Sequence, residues 1–187
     1  VDPFAHTPQW LINHPEVLNK LNGIDESLFA QLNSGEYYTV YPPFCQGLFA
    51  LAGWLFPQSE LGAIISLRSL MIISEGLTVF FLDRIRRFYN LSYWVVLIYA
   101  LNPLVIMELT GNLHFEGFMI TFLLGAFWLF LNKSPKSGGL LFSGAVLTKL
   151  LPLIFLPGFI RRWGWGATFS TGFLSLLLLL LTMLVIS

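Results

Sequence analysis

Residues 61–82 read LGAIISLRSLMIISEGLTVFFL, and Asp83-Arg84-Ile85-Arg86-Arg87 follows without a break. A helix over this run is ~33 Å long, enough to cross the ~30 Å hydrocarbon core of a bilayer. The basic cluster behind it marks the cytoplasmic border, where Lys and Arg accumulate. The rest of the 187 residues agree with that reading, being 56% apolar and 11% charged, with mean hydropathy +0.73. Ordinary soluble domains carry ~25% charged residues. The bilayer is therefore the solvent, and an all-α, polytopic transmembrane bundle is expected, because a helix satisfies its own backbone in lipid. Ten basic and ten acidic residues cancel, so no global field points to nucleic acid. The single cysteine, Cys45, excludes an intrachain disulfide and a thiol-based metal site.

Working outward, Pro3, Pro8, Pro15, Gly23 and Gly35 break residues 1–41 into a loop with short interfacial helices. The apolar run from Tyr41-Pro42-Pro43 to Pro57 spans only ~21 Å and reads as a surface or partly inserted helix. Past the first span, Leu91–Leu109 is a second, leading to Gly111-Asn112-Leu113-His114-Phe115-Glu116-Gly117. Phe118–Leu131 is a third, closed by Asn132-Lys133-Ser134-Pro135-Lys136. Charge asymmetry places Arg84, Arg86, Arg87, Lys133 and Lys136 in the cytoplasm, and the Asn-Leu-His-Phe-Glu turn and the first loop on the opposite side. Gly138–Ile160 is interrupted by Lys149 and Pro152 and has basic residues at both ends, Arg161-Arg162 closing it. Two half-helices that enter and leave on the cytoplasmic side satisfy the charge rule, so a re-entrant hairpin is expected. Ala167–Ile186 is Leu-rich and expected to face lipid. The domain reading is an extracytoplasmic loop with juxtamembrane helices over 1–60 and a transmembrane region over 61–187, truncated at both ends.

Ionisable groups are costly in lipid and usually mark a substrate path. Asn112, His114 and Glu116 alternate, so an extended turn would set amide, imidazole and carboxylate on one side, where they can meet a sugar or phosphate, with Glu108 one or two turns upstream. A plain interfacial loop is the alternative. Lys149 lies at least ten residues from either basic end, too deep to snorkel readily, and its ammonium calls for a fixed anion. A lipid-linked phosphate suits a compact point charge; an internal pair with Glu75 is the alternative. Arg68 and Glu75 share a face of the first span, and structural pairing is the commoner role for such residues. His6 and His14 lack metal-ligand spacing and read as solvated. No Gly-rich nucleotide fingerprint, Cys-x-x-Cys, zinc His pair or Ser-His-Asp arrangement is legible in the sequence.

In chain order, four motifs resemble the GT-C glycosyltransferase superfamily. They are Asp2-Pro3-Phe4; Tyr41-Pro42-Pro43-Phe44-Cys45-Gln46; Asn102-Pro103-Leu104 running through Glu108 to Asn112-x-His114-x-Glu116; and Lys149-Leu-Leu-Pro152 closing on Leu156-Pro157. The likeness is to bacterial polyprenol-phosphate-mannose-dependent mannosyltransferases and, more distantly, to the GPI-anchor first mannosyltransferase, and it covers nearly the whole chain. It implies a membrane glycosyltransferase that moves a sugar, mannose in the nearest relatives, from a polyprenyl-phosphate donor to an acceptor hydroxyl. The site would face away from the cytoplasm of a bacterial inner membrane or an ER-like membrane. Glu116 and His114 would be catalytic, and Lys149, Asn112, Glu108, Tyr41, Gln46 and Arg68 would bind substrate. The partners implied are the lipid-linked sugar and membrane lipids, with a divalent metal as a further means of neutralising the leaving group. Glu116 stands where the family has Asp, a carboxylate reaching one methylene further. The family's general base is an aspartate early in the first outward loop; that position lies upstream of Val1, Asp2 is not assigned to it, and this piece alone is expected to be inactive. A transporter or lipid flippase, or a non-catalytic membrane subunit, are the competing readings.

Overall fold

The structure, a computed structural model, describes residues 4–20, 26–32 and 34–186; Asp2, Pro3, Gly23 and the Arg162 side chain lie outside them. The first loop forms three short helices, α1 (Pro8–Ile12), α2 (Pro15–Leu18) and α3 (Glu26–Ala30). His6 and His14 are not simply solvated as expected. Both rings pack on Trp10, with centroids 3.9 Å and 4.0 Å away, and His14 Nδ1 lies 2.7 Å from the Trp10 carbonyl. An indole gives two imidazoles an apolar face to share.

The juxtamembrane run is α4 (Pro43–Leu55), started by a proline in the first turn. Helix α5 (Glu60–Phe88) extends the predicted first span at both ends. Ser59 caps it by accepting from Gly62 N at 3.0 Å, and Glu60 in the first turn and Arg86 and Arg87 in the last complement its dipole. Asp83 ties that basic end together, its carboxylate 2.7 Å from Arg86 and 2.8 Å from Arg87.

The second run is not one straight span. Helix α6 (Trp94–Ala100) stops before Asn102-Pro103, and a π-helix, Val105–Gly111, continues at 53° to it. Proline disfavours helical backbone in the residue before it and donates no N–H, which breaks the ladder at this place. Helix α7 (Glu116–Leu131) has 16 residues, ~24 Å, beginning two residues before the expected third span and falling short of the ~30 Å hydrocarbon core. It lies at the centre, packed against α5 and α8 (Pro135–Thr148).

Small residues allow this closeness. A Cβ on Gly117 would come 2.8 Å from Met71 Sδ, and one on Gly138 would come 2.7 Å from Phe130, the tight approach by which helices pack where lipid supplies no hydrophobic drive. Thr121 of α7 shares hydrogen bonds with Ser74 at 2.7 Å and Thr78 at 2.6 Å of α5. Between α8 and α9 (Leu156–Ile186), Ser143 and Ser175 meet at 3.0 Å.

The hairpin expected over 138–160 takes shape as α8, a break at Lys149-Leu150, a 3-10 helix (Leu151–Phe155) and the start of α9. The second limb runs back along the first. Phe142 meets Phe159 at 5.2 Å, and Trp163 reaches Phe130 at 4.7 Å. Gly164, at φ +82°, then kinks α9, a left-handed conformation that glycine adopts without a Cβ clash. The remainder of α9 turns back along α8. It is not uniformly lipid-facing: Leu180 and Leu184 are exposed, whereas Thr171 and Ser175 are buried, the latter against Ser143.

The bundle thus has two unlike ends. The α5–α6 link, the α7–α8 link and the Gly164 kink gather Arg84, Arg86, Arg87, Lys133, Lys136 and Arg161 at one. The π-helix, the turn after it and the Lys149 break lie at the other. Glu60–Phe88 and Trp163–Leu184 are long and apolar enough to cross a membrane, and the bent pair makes up to three. The chain is an all-α membrane protein.

Candidate functional site

The polar end is built by two irregularities in otherwise helical chain. The π-helix leaves a wide last turn, so His114 N can donate to both Glu108 O at 3.3 Å and Leu109 O at 3.2 Å. Leu113 takes φ +56°, a left-handed conformation that costs an ordinary side chain energy and recurs at functional turns. Its packing against the buried cluster of Cys45, Met71, Phe115 and Phe118 offsets that cost. The result is a tight helix-to-helix turn, not the extended one expected from alternation. Asn112, His114 and Glu116 still converge, because Glu116 begins α7 while Asn112 ends the π-helix.

A line of charges runs through this turn. Asn112 Nδ2 donates to Glu108 Oε2 at 3.3 Å. His114 sits between two carboxylates, Nε2 3.6 Å from Glu108 Oε2 and Nδ1 3.8 Å from Glu116 Oε2. The other Glu116 oxygen, Oε1, accepts a hydrogen bond from Lys149 Nζ. Partial burial pushes the Glu116 carboxyl up, but the Lys149 hydrogen bond, the Glu116 backbone N–H and the Lys149 and His114 charges outweigh this and hold it below its ordinary value. Lys149 and Glu116 are 33 positions apart, so the hairpin tip and the turn form one site.

The tip is held from the side. Lys149 has extended backbone, φ −162° and ψ 141°, which ends α8 and aims the residue out of the helical row. Cys45 of α4 donates through Sγ to the Thr148 carbonyl at 3.7 Å, covering a carbonyl near the end of α8 where intrahelical partners run out. Phe115 points away from the charges and meets Tyr41 at 5.8 Å and Phe49 at 5.1 Å, an apolar floor beneath the turn.

Of the residues singled out in the sequence, Glu108, Asn112, His114, Glu116 and Lys149 come together. Arg68 joins their border by donating from Nη2 to Gly111 O at 3.1 Å. Its expected pairing with Glu75 does not form. Glu75, two turns deeper, instead accepts from the Tyr99 hydroxyl at 2.9 Å, because the bend brings α6 across α5. Lys149 likewise takes Glu116, not Glu75, as its carboxylate. Tyr41 lies against Phe115 at the edge of the site, whereas Gln46 turns back into its own loop, donating to Thr39 Oγ1 at 2.6 Å and Tyr41 O at 3.4 Å. Sequence reasoning missed Cys45, Thr148 and Phe115 as supports. Phe115 was open to discovery, since alternation sets it opposite His114 and Glu116. Among the described residues no three His, Cys, Asp or Glu side chains come together in a geometry that holds a metal ion.

Lys149 is half-exposed, its side chain at 50%, so the amine opens on the same side as the acidic turn and no wall of helices divides them. The arrangement offers an ammonium, a guanidinium and hydrogen-bonding groups around one polar end, fit to hold an anion beside hydroxyl groups. No curated protein and no solved structure matches the chain. The family model described as alpha-(1->6)-mannopyranosyltransferase, N-terminal domain, matches residues 36–165, more than half of the chain and a stretch that contains every residue of the cluster. The chain belongs to this family, the MptA_B family of mannosyltransferases.

Proposed function

We propose that this chain, a membrane glycosyltransferase by family, is of the GT-C type and transfers mannose from a polyprenyl-phosphate donor to an acceptor hydroxyl on the side of the membrane away from the cytoplasm. The family's description names an α-(1→6) linkage, so the acceptor hydroxyl in this reading is a 6-hydroxyl, the primary one of a hexopyranose. The observation that carries the reading is the meeting of Lys149 with the Glu116 turn at the end opposite the basic residues. A lipid-linked phosphate enters from the bilayer with its charge at the border, where a cation set at the tip of a broken helix can meet it.

In the reaction the acceptor oxygen forms a bond to the anomeric carbon while the bond from that carbon to the phosphate oxygen breaks, its electron pair staying on the phosphate. The configuration inverts. The acceptor proton passes to a carboxylate; the family resemblance assigns that base to an aspartate of the first outward loop, and Glu116, backed by His114, acts beside it by accepting a hydrogen bond from the acceptor hydroxyl. Lys149 neutralises the charge that grows on the leaving phosphate, and Arg68 adds a second cation at the border. Glu108 and Asn112 orient His114 and offer hydrogen bonds to sugar hydroxyls, with Tyr41 closing the apolar side. Gln46 contributes through the loop that positions Tyr41.

The test is a transfer assay in membranes that hold the full-length protein, with labelled polyprenyl-phosphate mannose. Lys149→Met is expected to lower transfer about 100-fold or more while expression and thermal unfolding stay close to wild type. Wild-type rates in that variant would remove Lys149 from the site.

A further inference from the structure

In the proposed reaction Lys149 is the cation for a phosphate, yet its ammonium already has a partner. Glu116 Oε1 accepts from it, and Glu116 begins α7 while Lys149 follows α8, so the pair also clasps two elements across the site. Phosphate and carboxylate carry the same sign and cannot both be held closely by one ammonium without repelling each other. The carboxylate has another place to go. Its second oxygen, Oε2, lies 3.8 Å from His114 Nδ1, and His114 is held from behind by Glu108 at 3.6 Å. That 3.8 Å is within the reach of a side-chain rotation of Glu116 toward His114, which would leave Lys149 free.

Resting on the donor reading above, we propose that Glu116 is the resident counter-ion of Lys149, that the donor phosphate displaces it, and that this displacement delivers the carboxylate to His114, where the acceptor hydroxyl is received. Donor binding therefore precedes acceptor binding. An empty site keeps its carboxylate paired with Lys149, whereas a site holding donor has its anion seat filled and the Glu116 carboxylate turned to His114, free to accept a hydrogen bond from the acceptor hydroxyl.

The competition gives a counter-intuitive prediction. Glu116→Gln removes a rival for Lys149, so the protein reconstituted in nanodiscs is expected to bind a short-chain polyprenyl phosphate about fivefold more tightly than wild type, the scale of a partly exposed ion pair, while its transfer rate falls. Glu116→Asp, which keeps the charge but draws it back by one methylene, is expected to bind with intermediate strength. Glu60→Gln, at the start of α5 and outside the site, removes a charge of the same kind without touching Lys149 or His114 and is expected to leave affinity within about twofold of wild type. Equal or weaker binding in both Glu116 variants overturns the exchange, as does an equal gain in Glu60→Gln, since that would be a general field effect. Absence of saturable binding to wild type and Glu116→Gln alike overturns the donor reading itself. So does inorganic phosphate that binds as well as the lipid and shows the same gain.

Discussion

At the residue scale the Glu116–Lys149 pair adds a small increment to stability and, in the proposed function, carries the chemistry. The Glu116 carboxyl is held below its ordinary value of 4.5, so the folded state binds that proton less readily than the unfolded chain does. Its stabilisation is present in full above that ordinary value and is lost as pH falls through the depressed folded value. Because both side chains are substantially exposed, the effect is small, no more than about 1 kcal/mol. Thermal unfolding between pH 7 and pH 3 should show wild type above Glu116→Gln at neutral pH, with the gap closing below about pH 4.5. A gap that widens on acidification would contradict the ion pair. The sequence announced that Lys149 needed an anion, since its distance from any polar end is plain. It could not announce which one, because separation along the chain, 33 positions for Glu116, does not report contact, and only the packing of α7 on α8 decides between Glu75 and Glu116.

At the element scale the α5–α7 interface decides whether the turn is placed at all. Thr121 is the hub: it meets Ser74 and Thr78, and it also donates to Ser74 O at 2.9 Å or Gly117 O at 3.0 Å. Thr121→Val keeps the shape and removes the hydroxyl, leaving two buried hydroxyls on α5 short of a partner. A loss of about 1–2 kcal/mol is expected, read as a lower unfolding midpoint in detergent. Gly117→Ala introduces a Cβ 2.8 Å from Met71 Sδ and 2.9 Å from Glu75 Oε1. Overpacking of that kind costs about 1–3 kcal/mol, and because Gly117 adjoins Glu116 it should lower transfer more than Thr121→Val at matched stability. Equal transfer in the two variants would show that the α7 start does not position the site. The existence of these helices was legible from apolar runs and breakers. The partners of Ser74, Thr78 and Thr121 were not, since a hydroxyl in an apolar run can face lipid, bond to its own helix or bridge to another without any change in pattern.

At the scale of the whole molecule, the separation of a polar end from a basic end carries the proposed orientation. Cysteines placed at Asn112 and at Ser134 should label from opposite sides of a sealed membrane, Asn112 from the extracytoplasmic side. Labelling of both from one side would overturn the orientation. The native thiol does not interfere. Cys45 is 1% exposed, and burial, with the Glu116 charge adding to it, pushes its thiol up to about 11, so little thiolate is present at neutral pH.

Composition, run lengths and the positions of basic clusters determined, without any coordinates, that this is a helical membrane protein with a broken segment at Lys149 and a polar turn around His114. These are one-dimensional properties: hydrophobic length is counted along the chain, and helix breakers act on their own neighbours. Tertiary structure alone decided that the π-helix and Leu113 fold the turn back on itself, that Arg68 reaches Gly111 while Glu75 goes to Tyr99, and that Glu116 answers Lys149. Each of those partnerships depends on which helices lie side by side and at what rotation about their axes, and in lipid that is set by small residues and buried hydroxyls whose fit exists only in three dimensions.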